Sequence, residues 1–244
     1  MSETPITDAL STYIKDNASI RKPDGKYHPS GLFGCDRKTI YEVLGTPKTD
    51  TRDDRSFRIL EMGQIVHDFV QKAILTQYEE AYDEIKLSVP DLNIVGSADL
   101  IVRVGDEWEV VELKTINSRA FQYGDTPKVE HVMQLQTYMH AIRANGFTVA
   151  GIGPNEDVVF DAAPFKDLTK GRLVYISKDD MKMAEYTIEY SEELARSIVD
   201  KVAKLDYHLK SNTLPERLPE EKGKKHWLCG YCEFKTKCWE VDSE

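Results

Sequence analysis

An α/β fold with a central mixed sheet flanked by helices is what this sequence predicts, on three observations. Segments of helical period alternate with strand-like segments along the chain, the pattern of a layered domain of sheet and helix. A two-residue turn at Gly105-Asp106 joins two strand-like runs into an antiparallel hairpin. The 244 residues, 41% apolar and 30% charged with 14 Gly and 10 Pro, have ordinary globular composition, and a chain of this length buries roughly 70–75% of its extended surface. One large domain with an appendage is the expected organisation, and the chain carries no internal repeat or low-complexity tract.

Residues 1–15 predict a short helix, followed by a loop rich in Lys, Pro, Gly and His up to Pro29. Ser30 stands where a helix N-cap is expected, before GLFGCDRKTIYEVLG, and Gly45 where that helix stops. Thr46–Arg55 is charged and is expected to be a mobile loop. Phe57, Leu60, Ile65, Phe69, Ile74 and Leu75 recur with helical spacing, so 56–80 reads as a long helix carrying His67. Glu84–Val89, Asn93–Val104 and Glu107–Leu113 read as strands. A second long helix spans 128–145, with Gln134 and Tyr138 at i and i+4 on one stripe. Arg172–Lys178 and Met183–Tyr190 are further strands. Ser191 caps a helix to about Leu209, where the string SEEL supplies a capping-box pattern and acids in the first turn. From about Leu214 the tail is rich in Pro, Lys and Cys, and too poor in periodic apolar residues to fold without a staple. Gly151-Ile152-Gly153 has the glycines of a nucleotide loop, but Pro154 follows and no helix opens there, so it is set aside together with any Walker-type reading.

The hairpin turn fixes a register. In a two-residue hairpin, opposed residues have numbers that add to a constant, here 211, which sets Asp99 against Glu112. Lys114 lies on the same face as Glu112, opposite Ser97. Like charges opposed across a strand pair destabilise a sheet unless a cation lies between them or the edge is solvated. Asp99 is flanked by Ala98, Leu100, Ile101 and Val102, and Glu112 by Val110, Val111 and Leu113, sequences of buried strands. A divalent metal is the economical answer, and hard carboxylate ligands suit Mg²⁺ or Mn²⁺, which can polarise a phosphodiester. The net charge of −10, from 32 basic and 42 acidic residues, speaks against nucleic-acid binding by bulk electrostatics alone. It leaves room for an enzyme with a carboxylate metal site and local basic patches.

The series Glu61-Met62-Gly63-Gln64-Ile65-Val66-His67, Gly96-Ser97-Ala98-Asp99, Val111-Glu112-Leu113-Lys114 and Gln134-Leu135-Gln136-Thr137-Tyr138 resembles, in order, the motifs of the RecB-like branch of the PD-(D/E)XK nucleases. The resemblance implies a restriction-endonuclease-like core in which His67, Asp99 and Glu112 bind the metal with the Leu113 carbonyl as a further ligand. It makes Lys114 the catalytic lysine, with Gln134 and Tyr138 positioning DNA or that lysine.

Cys229, Cys232 and Cys238 form C-x2-C-x5-C near the C-terminus, and Cys35 stands alone near the N-terminus. Four thiolates suit a structural zinc or an iron-sulfur cluster, and spacing alone does not separate the two. One early and three late cysteines resemble the iron-sulfur nucleases, including the CRISPR-associated RecB-like exonucleases and the AddB nuclease domain. That resemblance implies a 4Fe-4S cluster tying the N-terminal helical region to the tail. Between Lys222 and Cys238, Lys222, Lys224, Lys225, Lys235 and Lys237 face one acid, Glu233, near Trp227, Tyr231 and Phe234. They either hold a single strand by phosphate contacts and stacking or are solvated tail lysines that offset the cluster's charge. Arg37, Lys38 and Arg119 are further candidate DNA contacts.

The resulting expectation is a single nuclease domain over 1–244. It has an N-terminal helical region at 1–55 with Cys35, a nuclease core at 56–210 and an iron-sulfur-stapled C-terminal cap at 211–244. Its activity is expected to be Mg²⁺- or Mn²⁺-dependent exonucleolytic hydrolysis of DNA, preferably single-stranded, with family resemblance favouring 5′ ends. A free-standing, phage-type or CRISPR-type member is implied, with a recombination or CRISPR-adaptation protein as partner. The rival readings are a non-catalytic DNA-end-binding or adaptation-complex module and a zinc-stapled interaction domain. No run of eighteen apolar residues and no basic-then-apolar leader is present, so a cytoplasmic protein without membrane attachment is expected.

Overall fold

The computed structural model describes residues 4–124, 126–151 and 157–240. Helices α1 (Pro5–Asp16), α2 (Pro29–Leu32), α3 (Asp36–Val43) and α4 (Asp54–Leu75) precede the strands β1 (Ala81–Val89), β2 (Ile94–Val104) and β3 (Glu107–Ile116). Then come α5 (Ser118–Tyr123), α6 (Val129–Asn145), β4 (Phe147–Val149), β5 (Val158–Phe160), β6 (Lys170–Ser177), β7 (Met183–Glu189) and α7 (Glu192–Lys210). A small hairpin, β8 (Glu220–Glu221) and β9 (Lys224–Lys225), leads to α8 (Lys235–Glu240).

One seven-stranded sheet runs β5-β4-β1-β2-β3-β6-β7. Its strands pair antiparallel except for β3 and β6, which are parallel, so the sheet is mixed. That parallel step needs a crossover, and α6 supplies it, packing on β1, β3 and β6. The β2–β3 pairs from Val104↔Glu107 to Leu100↔Val111 all follow the 211 register. The turn holds it because Gly105 has φ +63°, which glycine takes without steric cost.

Strand β3 is buried on both faces. Val110 joins a large core with Leu135 and Met139 of α6 and Ile198 and Leu205 of α7. Val111 and Leu113 join a smaller core with Val66 and Val70 of α4 and Ile176 of β6. The helices on either side of this strand are therefore α4 and α6, the two that carry the motif residues. No helix among the described residues is long and apolar enough to cross a membrane.

Several elements differ from expectation. In place of one continuous helix from Ser30 to Gly45 there are two short helices, with His28 at the N-cap position of α2 and Cys35 at that of α3, neither with a side-chain cap bond. Phe33 and Gly34 lie at the break. Helix α4 starts two residues before the expected Ser56, because Asp53 caps it with its side chain accepting the Ser56 N–H at 2.7 Å, and it ends at Leu75 rather than 80. Ser191 accepts the Leu194 N–H at 3.3 Å, but the third helical residue is Leu194 and not an acid, so only half of a capping box is made. Strands β4 and β5 and helix α5 escape sequence reading because each is only three to six residues long. Ile152 and Gly153 of the discarded glycine string, the first three residues and the last four lie outside the described residues.

Ion pairs and side-chain caps anchor the tail, which its apolar pattern alone does not promise. Lys48 and Arg52 pair with Glu233 at 2.9 and 3.1 Å, and the Asp50 carboxylate accepts both the Thr236 N–H and its hydroxyl. Phe234 is 2% exposed and lies 5.3 Å from Tyr41, centroid to centroid. The charged 46–55 loop, expected to be mobile, is the clamp for this tail.

Buried Glu109 of β3 is held by Arg172 of β6, whose Nη2 donates to Oε1 at 3.0 Å while Nε meets Oε2. Arg172→Met leaves that carboxylate unpaired. Urea unfolding is expected to show a loss of about 2 kcal/mol, less than for a fully buried pair because Arg172 keeps part of its surface in water.

Candidate active site

Asp99 sits where the sheet is interrupted. The β2–β3 ladder ends at Leu100↔Val111, and on the other edge the β1–β2 pairs pass from Asp83↔Leu100 to Ile85↔Ala98 without joining Glu84 to Asp99. Glu84 has φ +46°, a left-handed conformation that a non-glycine residue holds only under constraint. Released from the ladder, the Asp99 side chain turns to β3 and its Oδ2 accepts the Leu113 N–H at 2.6 Å. Its Oδ1 lies 3.4 Å from Nδ1 of His67 on α4. Burial works to lower the His67 pKa, but the bond to Asp99 and the charges of Asp99 and Glu112 outweigh it and raise the pKa overall.

Glu112 and Lys114 point from β3 toward α6. Lys114 Nζ donates to Glu112 Oε1 at 2.7 Å and to Gln134 Oε1 at 2.8 Å. Gln134 Nε2 donates to the same Glu112 oxygen at 2.7 Å and to the Tyr138 hydroxyl at 2.8 Å. The i, i+4 spacing on α6 puts Gln134 and Tyr138 on one face, so one amide fixes both the lysine and the carboxylate. The other carboxylate oxygen, Glu112 Oε2, is buried and finds no hydrogen-bond partner. Burial first, then the Asp99 charge, pushes the Glu112 carboxyl pKa upward. Burial likewise lifts the Tyr138 phenol well above its ordinary range, so its hydroxyl stays neutral.

The structure thus brings His67, Asp99, Leu113, Glu112, Lys114, Gln134 and Tyr138 together. Among the described residues no three His, Cys, Asp or Glu side chains are drawn into one metal-holding group as they lie. The donor chemistry nonetheless fits a divalent cation: an orphaned buried carboxylate oxygen, a second carboxylate beside it and an imidazole. Cys35, Cys229, Cys232 and Cys238 line one cavity between α3, the tail and α8, with Arg217 and Trp239 in its wall. Arg37 donates from Nε to the Pro215 carbonyl at 2.8 Å and ties the tail to α3. Lys38 pairs with Glu42 at 3.1 Å, and Arg119 is exposed on α5. Phe234 is buried and offers no stacking surface, unlike Trp227 and Tyr231, which are 54% and 74% exposed.

Sequence reading missed Gln71. It is 3% exposed on α4, one turn beyond His67, and its Nε2 donates to the Asp99 carbonyl at 3.0 Å and to Glu84 Oε1 at 2.9 Å. It therefore holds both sides of the strand irregularity that frees Asp99. Its one available signal is its place four residues after His67 in an otherwise apolar stripe.

The arrangement is a carboxylate and a lysine on β3 held by one helix glutamine, with a second carboxylate on the neighbouring strand β2. The chain belongs to the PD-(D/E)XK nuclease superfamily, whose family model matches residues 15–239. The crystal structure of SSO0001 is similar, with TM-score 0.54 and 22% identity over 96% of this chain and 96% of that one. The alkaline exonuclease LHK-Exo from Laribacter hongkongensis matches with TM-score 0.47 and 17% identity over 77% of this chain and 89% of that one. The likeness to SSO0001 is one of fold.

Gln71→Met keeps side-chain length and removes both bonds. If Asp99 holds a metal, as the resemblance implies, nuclease activity is expected to fall by about 10–100-fold, the usual effect of losing a group that orients a metal ligand. Metal titration by calorimetry should show the matching loss of affinity, and equal affinity in the variant and the wild type would remove this role.

Proposed function

We propose that the protein is a metal-dependent DNA exonuclease that hydrolyses phosphodiester bonds of single-stranded DNA from 5′ ends. The observation that carries the reading is the buried Glu112 carboxylate, with one oxygen gripped by Lys114 and Gln134 and the other without a partner. His67, Asp99, Glu112 and the Leu113 carbonyl are the groups that would hold Mg²⁺ or Mn²⁺, which when bound polarises the phosphate and makes a hydroxide-like nucleophile accessible. Lys114 is placed by two oxygen acceptors so that its remaining N–H orients a water or a phosphate oxygen. Asp99 is fixed by the Leu113 N–H and His67, so both carboxylates enter the reaction already oriented.

The preference for single strands is supported by the exposed rings of Trp227 and Tyr231, on which bases can stack, with Lys128 Nζ 6.0 Å from the Trp227 ring centroid. Attack from 5′ ends and a role in DNA processing or recombination rest on the resemblance to the RecB-like branch. In the same proposal the four thiolates around the α3–tail cavity take a 4Fe-4S cluster, since four cysteines from both ends of the chain line one space.

Degradation of 5′- and 3′-labelled single-stranded DNA with Mn²⁺ tests the first part. Lys114→Ala is expected to lower turnover by about 10²–10⁴-fold, and EDTA to abolish it. Retained cleavage in Lys114→Ala defeats the assignment, and DNA binding without turnover by folded wild type would favour the end-binding module instead. Anaerobically purified protein is expected to contain iron and sulfide; zinc without either would put a zinc staple in the cluster's place.

A further inference from the structure

A cleft of about 560 Å³ opens beside Gly96 and Ser97, outside the group of residues that carries the chemistry. Its cations are Arg21 and Lys26, from the loop ahead of α2, and Lys86 of β1, all three exposed. No Asp or Glu lines it among the described residues, in a chain with 42 acidic and 32 basic residues. Thr148 adds a hydroxyl to the lining from β4.

The cleft adjoins the active site. A Cβ on Gly96 would stand 3.2 Å from Tyr138 Cε1 and 3.1 Å from Pro29 Cδ, so its floor lies against the ring that Gln134 touches. Ser97 is two residues from Asp99, about 7 Å along an extended strand. Lys86 meets Asp157 at 3.6 Å with both side chains more than half exposed, a weak pair that a phosphate displaces. His28, also in the lining, pairs with Asp24 at 3.1 Å.

We propose that this cleft is the phosphate track for the segment of a nucleic-acid strand next to the bond being cut, with Arg21, Lys26 and Lys86 each neutralising a backbone phosphate. The inference rests on the nuclease reading for the identity of the strand. Cations drawn from two separate elements, with no carboxylate in the lining and Asp157 only weakly paired to Lys86 at its edge, match an extended polyanion better than a compact one such as a free nucleotide.

The test uses full-length protein in EDTA and the anisotropy of a labelled oligothymidylate of about twelve nucleotides, within the span such sites cover. Arg21→Glu with Lys86→Glu is expected to weaken binding at least about tenfold, and to reduce the slope of log affinity against log salt by about 0.7 for each phosphate no longer neutralised. Lys26→Gln should add to both effects. Lys210→Glu, at the exposed end of α7, is the charge-changing control and should alter neither. With Mn²⁺ present, KM is expected to rise in the cleft variants while kcat is kept. If the double reversal melts early, Lys86→Gln alone reads the weakening due to a single phosphate. Affinity and slope matching the control overturn the cleft while wild-type turnover keeps the nuclease reading intact. Binding with the expected slope by a wild type that cleaves nothing does the reverse.

Discussion

Burying the Glu112 carboxylate is the constraint around which the centre of this protein is organised. An ionised carboxylate removed from water is costly unless it is paired and hydrogen-bonded, and here the pairing reaches only one oxygen. Lys114 and Gln134 must both be delivered to that oxygen, which fixes the face β3 presents and the rotation of α6 above it. The helix meets this demand with polar residues on its buried side. Gln134 serves the site, while Gln136 donates to the Glu189 carbonyl at 2.7 Å and accepts the Ser191 N–H at 3.0 Å, so α6 also joins the end of β7 to the start of α7. The buried oxygen without a partner is the part of this carboxylate that the protein's own side chains leave unanswered.

The second carboxylate is placed by a different device. Asp99 leaves the ladder because the β1–β2 pairing skips Glu84 and Asp99, and the strain of the left-handed Glu84 is offset by the Gln71 amide. That amide belongs to α4, the helix that also brings His67. One helix therefore sets the backbone of Asp99 and the imidazole facing it, whereas the opposite helix sets Glu112 and Lys114. The site is assembled by two helices acting on one hairpin from opposite faces of the sheet.

The parts legible in the sequence are those governed by local geometry. The Gly105-Asp106 turn specifies the hairpin register as far as Leu100↔Val111, short of the expected Asp99–Glu112 and Ser97–Lys114 pairs, and the i, i+4 pair on the 128–145 helix specifies that Gln134 and Tyr138 share a face. The strand irregularity at Asp99 is not legible, because a positive φ at a glutamate in a strand-like run has no residue signature. Gln71 escapes for a related reason: a glutamine on a helix is ordinary until its tertiary partners are known. The break between α2 and α3 falls beside Gly34, a residue that weakens a helix without by itself dictating where it ends. In the tail, apolar periodicity does not register the ion pairs and side-chain caps that bind Glu233 and Thr236 to the 48–52 loop. The parallel β3–β6 pairing depends on where α6 carries the chain, a long-range fact that segment patterns do not encode.

A net charge of −10 sits comfortably with a polyanionic substrate once distance is considered. At physiological ionic strength the Debye length is about 8 Å, so acids on remote faces of α4 and α7 are screened from a strand lying beside Gly96. The cations that touch the strand act at contact, where screening is weakest. The net acidity disfavours unspecific adhesion of the polymer, and a strand gains electrostatic energy where Arg21, Lys26 and Lys86 line the cleft.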